Sequence, residues 1–373
     1  MFDQYKLLII VLCTLAVAFG ISFAATPLVR LFAKKIGAMD VPKDDRRMHN
    51  VPIPRIGGLA IFFGFIVSVL IFADINTQLR GILIGLVIIV VLGLVDDIMP
   101  LPALLKLVVQ IIAALVAVTH GTVINHLTNP NIFSPVPYWT LGAFAAPVTV
   151  IWIVAITNSV NFIDGLDGLA VGVSAISAFS MLIIALMVSE PNVAVVVAAL
   201  AGGCVGFMPY NLNPAKIFMG DVGATAIGFI LATMSIQGLF KFYAIVSFAV
   251  PFLILALPLF DFIFAFFRRI LAGKSPMSAD RGHVHHRLID MGFNQKQVVA
   301  IMYTMSGLLG VTAVVLTARG ELRAMILLVA FLVAGLIAAR LLITGNSGKE
   351  RRSAAAERGT DTDSDTDSEN GEN

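Results

Sequence analysis

Residues 140–170 read TLGAFAAPVTVIWIVAITNSVNFIDGLDGLA. The apolar run 140–157 gives way to a short polar break holding Asn158, Asn161, Asp164 and Asp167, and a second apolar run starts at 168. Runs of this kind are long enough to cross a hydrocarbon core as helices. A helix is the expected form because a membrane span must satisfy its own backbone hydrogen bonds. The alternation recurs along the whole chain. Apolar runs fall at 7–29, 57–73, 81–95, 102–119, 140–157, 168–188, 193–209, 222–240, 242–266, 298–317 and 322–344, eleven in all. The 373 residues are 58% hydrophobic and 13% charged, with a mean hydropathy of +0.93, far more apolar than an ordinary soluble domain. The expected fold class is an all-α polytopic integral membrane protein of about 11 transmembrane helices.

Lys and Arg are retained on the cytoplasmic side of membranes. With the N-terminus outside and the C-terminus cytoplasmic, only Lys6, Arg80, Lys241, Arg319 and Arg323 of the 25 basic residues lie on the outer face. Ser22-Phe23-Ala24 loosely resembles a signal-cleavage site, but cleavage would leave the basic 30–55 stretch outside, against the charge rule. The first segment therefore reads as a span. Cys13 and Cys204 sit inside apolar runs and imply neither a disulfide nor a zinc framework. Residues 1–344 form the expected transmembrane domain. Residues 345–373, ending TDTDSDTDSENGEN, are too polar to bury a core and are expected to be a disordered acidic cytoplasmic tail.

In this topology every strong polar cluster falls on the cytoplasmic side. Asp96 and Asp97 follow the third run, with Lys106 and Gln110 beyond. Asn158, Asn161, Asp164 and Asp167 follow the fifth. Asn211, Lys216, Phe218 and Asp221 follow the seventh, and Asp280, Arg281, His283, His285, His286 and Arg287 follow the ninth. Each has a plain structural alternative: Asp96-Asp97 as a solvated helix end, Asp164 and Asp167 as helix-start residues, Lys216 as a topology anchor, Phe218 as an interfacial aromatic and the histidines as an exposed polar loop. Asp261, inside the ninth run, can pair with a basic side chain, although intramembrane acids are functional candidates by default. It is the convergence of carboxylates, amides and histidines on one face that favours chemistry. Clustered carboxylates repel unless a cation sits among them, and Mg²⁺ prefers oxygen ligands with substrate phosphates. No Walker P-loop or HExxH zinc motif is present.

The series VDD (95–97), NFIDGLDGL (161–169), NPAKIFMGDVG (213–223) and GHVHHRL (282–288), in that order, resembles the polyprenyl-phosphate N-acetylhexosamine-1-phosphate transferases. The resemblance covers roughly residues 5 to 344. The H-x-H-H at 283–286 and DVPKDDRRMHNVPIPRIGG at 40–58 are most similar to the bacterial TagO and WecA branch, and the TPTMGG signature of the MraY branch is absent.

The resemblance implies transfer of GlcNAc-1-phosphate from UDP-GlcNAc to undecaprenyl phosphate with release of UMP, at the cytoplasmic face of a bacterial membrane. It implies Mg²⁺ as cofactor, with Mn²⁺ as an alternative, and Asp221 as a direct ligand that Asp96 and Asp97 can supplement. Phe218 would stack on uracil, and Asp96, Asp97 and Lys106 would sit at the lipid phosphate. Asn158, Asn161 and Asp164 would line the nucleotide pocket, with Asp167 supporting that loop and Asn211 and Lys216 adding substrate contacts. His283, His285, His286 and Arg281 would touch the pyrophosphate or sugar. The implied partners are the sugar nucleotide, the lipid phosphate and surrounding lipids, with no nucleic acid; a homodimer is compatible with the family. Direct attack by the lipid phosphate is expected, with a phospho-aspartate intermediate as the alternative. The same chemistry on another sugar, and a transporter using acids near the bilayer midplane, are the competing readings.

Overall fold

The computed structural model describes residues 2–41, 51–128, 138–238, 246–271, 273 and 284–318. Helix α1 (Phe2–Ile36) leads through the two-residue strands β1 (Met39–Asp40) and β2 (Ile53–Pro54) to α2 (Gly58–Phe72), α3 (Thr77–Ile98) and α4 (Ala103–Thr119). A short antiparallel pair, β3 (His126–Thr128) and β4 (Tyr138–Thr140), precedes α5 (Ala145–Phe162). Then come α6 (Leu169–Met187), α7 (Pro191–Asn211), α8 (Gly220–Gly238), α9 (Val246–Ile254), α10 (Ala256–Leu271), α11 (Val284–Asp290) and α12 (Gln295–Thr317). Among the described residues six helices are long and apolar enough to cross a membrane, with α2 and α4 as shorter apolar helices. The protein is thus an all-α, multi-pass membrane protein. The eleventh expected run, 322–344, and the acidic tail lie outside the described residues.

The bundle is built around α8. Val222 to Gly238 are buried throughout, as expected of a helix apolar on all sides. It packs against α2, α3, α5, α6 and α7, while α1 covers α7 and α2, and α12 covers α6 and α9. Outward faces carry exposed apolar side chains such as Leu28, Leu31, Ile151 and Phe260, as a lipid-facing surface does. Helices approach closely where side chains are absent. Gly202 and Gly206 of α7 lie against the α1 backbone at Leu15 and Phe19. At the end of the bundle that matters below, Gly58 of α2 meets Gly223 of α8, and Gly93 of α3 meets Val222. A Cβ at either position would overlap backbone, so Gly58→Ala should cost about 1–3 kcal/mol by overpacking. Gly20→Ala, where nothing lies within 4 Å, serves as its neutral control. Thermal unfolding in detergent should separate the two variants.

Two expectations are revised. Asp96, Asp97, Asn158 and Asn161, read as connection residues, lie in the last turns of α3 and α5, because their side chains find partners that let the helix continue. The ninth run, 242–266, is broken at Leu255 between α9 and α10. Pro258 has no N–H to give to the carbonyl of Ile254, and the Ser177 hydroxyl of α6 donates to that carbonyl instead at 3.1 Å.

Candidate active site

Successive residues on a helix point about 100° apart, and this separates Asp96 from Asp97. Asp96 faces forward. One oxygen accepts the Leu101 N–H at 2.7 Å, closing the turn into α4, and the other accepts Lys106 Nζ at 2.9 Å. Asp97 faces α8. Its side chain is wholly buried, accepting the N–H groups of Asp221 and Val222 at 3.1 and 3.0 Å and Arg55 Nε at 3.0 Å. A carboxylate of α3 therefore satisfies the otherwise unpaired donors that begin α8, where the helix dipole also favours negative charge.

Asp221 is set by the turn that precedes it. Gly220 has φ +71°, and a Cβ there would collide with the Arg55 carbonyl and crowd the Asp97 carboxylate. Phe218 N–H donates to the Pro54 carbonyl at 2.8 Å, while Gly57 and Gly58 donate to the carbonyls of Phe218 and Met219. The first loop and the segment before α8 are thus laced together. From this frame Asp221 accepts Asn161 Nδ2 on one oxygen at 3.1 Å and Lys106 Nζ on the other at 3.2 Å. Lys106 bridges Asp96 and Asp221. Each Asp221 oxygen keeps acceptor capacity beyond these bonds.

The loop 163–168 is held from three sides. Asn211 accepts the Gly168 N–H at 3.2 Å and donates to the Ile217 carbonyl at 3.0 Å. Asp167 accepts Asn213 Nδ2 at 2.9 Å and the Ala215 N–H at 3.0 Å. The Tyr303 hydroxyl of α12 donates to the Gly168 carbonyl. Asp164 is left facing the acids. Burial first, then the charges of Asp221 and Asp97, push its carboxyl up to about 8, against the opposing pull of Arg55. An acid so crowded gains from any cation placed beside it.

Of the histidines, His285 is buried and its ring lies over Gly165, where a Cβ would strike Nε2. His286 lies against it, ring centroids 4.3 Å apart and planes inclined at 44°, and borders the cavity. Asp261 of α10, buried, accepts the Val284 N–H at 2.9 Å and so fixes the start of the histidine-bearing α11. His283 and Arg281 lie outside the described residues.

These elements enclose a cavity of about 610 Å³ bordered by Arg55, Asp164, Asp167, Asn211, Phe218, Asp221 and His286, among others. Lys106 and Asn161 join it through their bonds to Asp221. Asn158 does not border it; it exchanges hydrogen bonds with Gln110 of α4 at 2.7 and 3.3 Å. Lys216 is exposed, outside the cavity lining. Arg55, Asn213 and Tyr303 were not picked out as site residues by sequence. Their roles depend on partners far along the chain, and the Pro-Arg-Ile-Gly-Gly run at 54–58 was the nearest signal. Among the described residues no three His, Cys, Asp or Glu side chains group as ligands for an ion. Asp221, whose oxygens keep acceptor capacity, has the donor chemistry of the one or two carboxylates by which Mg²⁺ is held together with substrate phosphates.

The profile of glycosyl transferase family 4 matches residues 79–239. A probable undecaprenyl-phosphate N-acetylglucosaminyl 1-phosphate transferase of Bacillus subtilis is 40% identical over 299 residues, covering 78% of this chain and 80% of the relative. The decaprenyl-phosphate N-acetylglucosaminephosphotransferase of Mycobacterium tuberculosis is 34% identical, covering 77% and 78%. An undecaprenyl-phosphate alpha-N-acetylglucosaminyl 1-phosphate transferase of Thermotoga maritima is 35% identical, covering 71% and 78%. With such identity over most of both sequences, residues of three of the motifs bordering one cavity and Asp97 of the other bonded to Asp221, the chain belongs to glycosyl transferase family 4, in the branch of the polyprenyl-phosphate N-acetylglucosaminyl 1-phosphate transferases.

Proposed function

We propose that this protein transfers GlcNAc-1-phosphate from UDP-GlcNAc to undecaprenyl phosphate, in a bacterial cytoplasmic membrane and with the cavity on the cytoplasmic side. An oxygen of the lipid phosphate attacks the sugar-bearing phosphorus of the donor. The bond from that phosphorus to the bridging oxygen breaks, and UMP leaves. The observation that carries this reading is Lys106, held between Asp96 and the cavity-lining Asp221. It is a cation placed where an acceptor phosphate and a donor diphosphate can meet.

Loose phosphoryl transfer needs in-line placement and charge stabilisation more than covalent help. Asp221 would hold Mg²⁺ together with the donor's phosphates, and the ion when bound would supply charge stabilisation at the transferring phosphoryl group. Lys106 and Asp96 orient the lipid phosphate. That phosphate has a second pKa near 6, by analogy with phosphorylated side chains, and so needs no strong base. Asn161 aims Asp221, Phe218 offers its ring to uracil, and His286 reaches the sugar or pyrophosphate. Asp97 acts through α8: its bonds fix the start of the helix that carries Asp221. The N-out topology expected from the basic residues supports the cytoplasmic placement, as does the donor, since a sugar nucleotide is a cytoplasmic metabolite.

Purified protein supplied with Mg²⁺, undecaprenyl phosphate and UDP-GlcNAc should release UMP, and UDP-MurNAc-pentapeptide should not replace the donor. Release from the peptide substrate alone would move the protein to the MraY branch. No release from either would leave another sugar or a transport role.

A further inference from the structure

We propose that Arg55 is a donor-binding residue, whose guanidinium grips the diphosphate of the sugar nucleotide while its Nε stays on Asp97. This deepens, and rests on, the transferase reading above. In the sequence Arg55 counts only as one more positive charge on the inner face. Among the described residues it is the one Arg or Lys that borders the cavity, set among Asp40, Asp164, Asp167 and Asp221.

Its backbone is fixed on both sides. The Arg55 N–H donates to the Ala38 carbonyl at 3.2 Å, the neighbouring Pro54 carbonyl accepts from Phe218, and the Arg55 carbonyl packs on Gly220. The side chain is anchored at one point only, Nε to Asp97 at 3.0 Å, and remains 30% exposed while Asp97 is sealed. Among the described residues the two terminal amines have no acceptor, and Arg55 borders the cavity together with Phe218 and Asp221. A planar guanidinium presents paired donors suited to phosphate oxygens. Placed next to the ring expected to stack on uracil, it meets the diphosphate rather than the acceptor. Lys106, which does not border the cavity, is left to the lipid phosphate.

The experiment titrates UDP and uridine into wild type, Arg55→Gln and Arg55→Lys by calorimetry with Mg²⁺, and follows thermal unfolding of each. Wild type should bind UDP more tightly than uridine. Arg55→Gln should weaken UDP about tenfold or more, as loss of a charge-assisted hydrogen bond does, with uridine affinity and the KM for undecaprenyl phosphate little changed; Arg55→Lys should recover part of the loss. Equal weakening of UDP and uridine, with a lowered melting temperature, would mean that Arg55 serves only Asp97 and would overturn the proposal. So would an unchanged preference for UDP, or a rise confined to the KM for the lipid. A wild type that binds UDP but not better than uridine overturns the diphosphate grip alone, whereas one that binds no uridine compound overturns the transferase reading beneath it.

Discussion

Asp221→Asn should lower turnover by about 10³-fold or more, the scale seen when a preorganised electrostatic group is removed from an active site, while the protein still folds and melts only modestly below the wild type. The variant keeps a side chain of the same shape at the start of α8, and the backbone bonds of that helix to Asp97 do not involve the Asp221 side chain. What it loses is the negative charge that Lys106 and Asn161 hold in the fold, a modest cost to stability and a deficit for holding a cation. UMP release and thermal unfolding of the same preparation check both halves. Full activity in Asp221→Asn would remove the residue from the mechanism.

Asp97→Ala should strike stability harder. It strips the acceptor from two backbone N–H groups and from Arg55 at a site sealed from water. Breaking a buried charge pair and leaving its donors unmet costs about 3–5 kcal/mol, so both the melting temperature and the turnover should fall. Adjacent in sequence, Asp96 and Asp97 are thus distinguishable by experiment. Asp96 bonds to the turn before α4 and to Lys106, and its replacement should affect the KM for the lipid phosphate more than the stability of α8.

The helices were legible because crossing a membrane leaves a mark in composition that needs no partner: apolar runs between polar breaks located α2 to α8 to within five residues at each end, and α1 to within seven. The break at Leu255 was not, because the carbonyl freed by Pro258 is satisfied by Ser177, a residue 77 positions away. The site divides in the same way. Asp96, Asp164 and Asp221 stand out as acids beside apolar runs, and the resemblance named them. The clamp of Asp97 on Val222 spans 125 positions and that of Tyr303 on Gly168 spans 135. No local pattern announces either one, and the same holds for Arg55. A lone arginine in a basic loop reads as topology until the fold sets it against Gly220.

The central claim is that a phosphorylated sugar, not a bare sugar, is passed to the lipid. Its most direct test uses UDP-GlcNAc labelled separately at its two phosphorus atoms, with undecaprenyl phosphate and the full-length protein in detergent. The account predicts that the phosphorus next to the sugar appears in the lipid fraction and that the phosphorus next to uridine leaves as UMP. Release of both labels together as UDP, with unlabelled phosphate in the glycolipid, would contradict it.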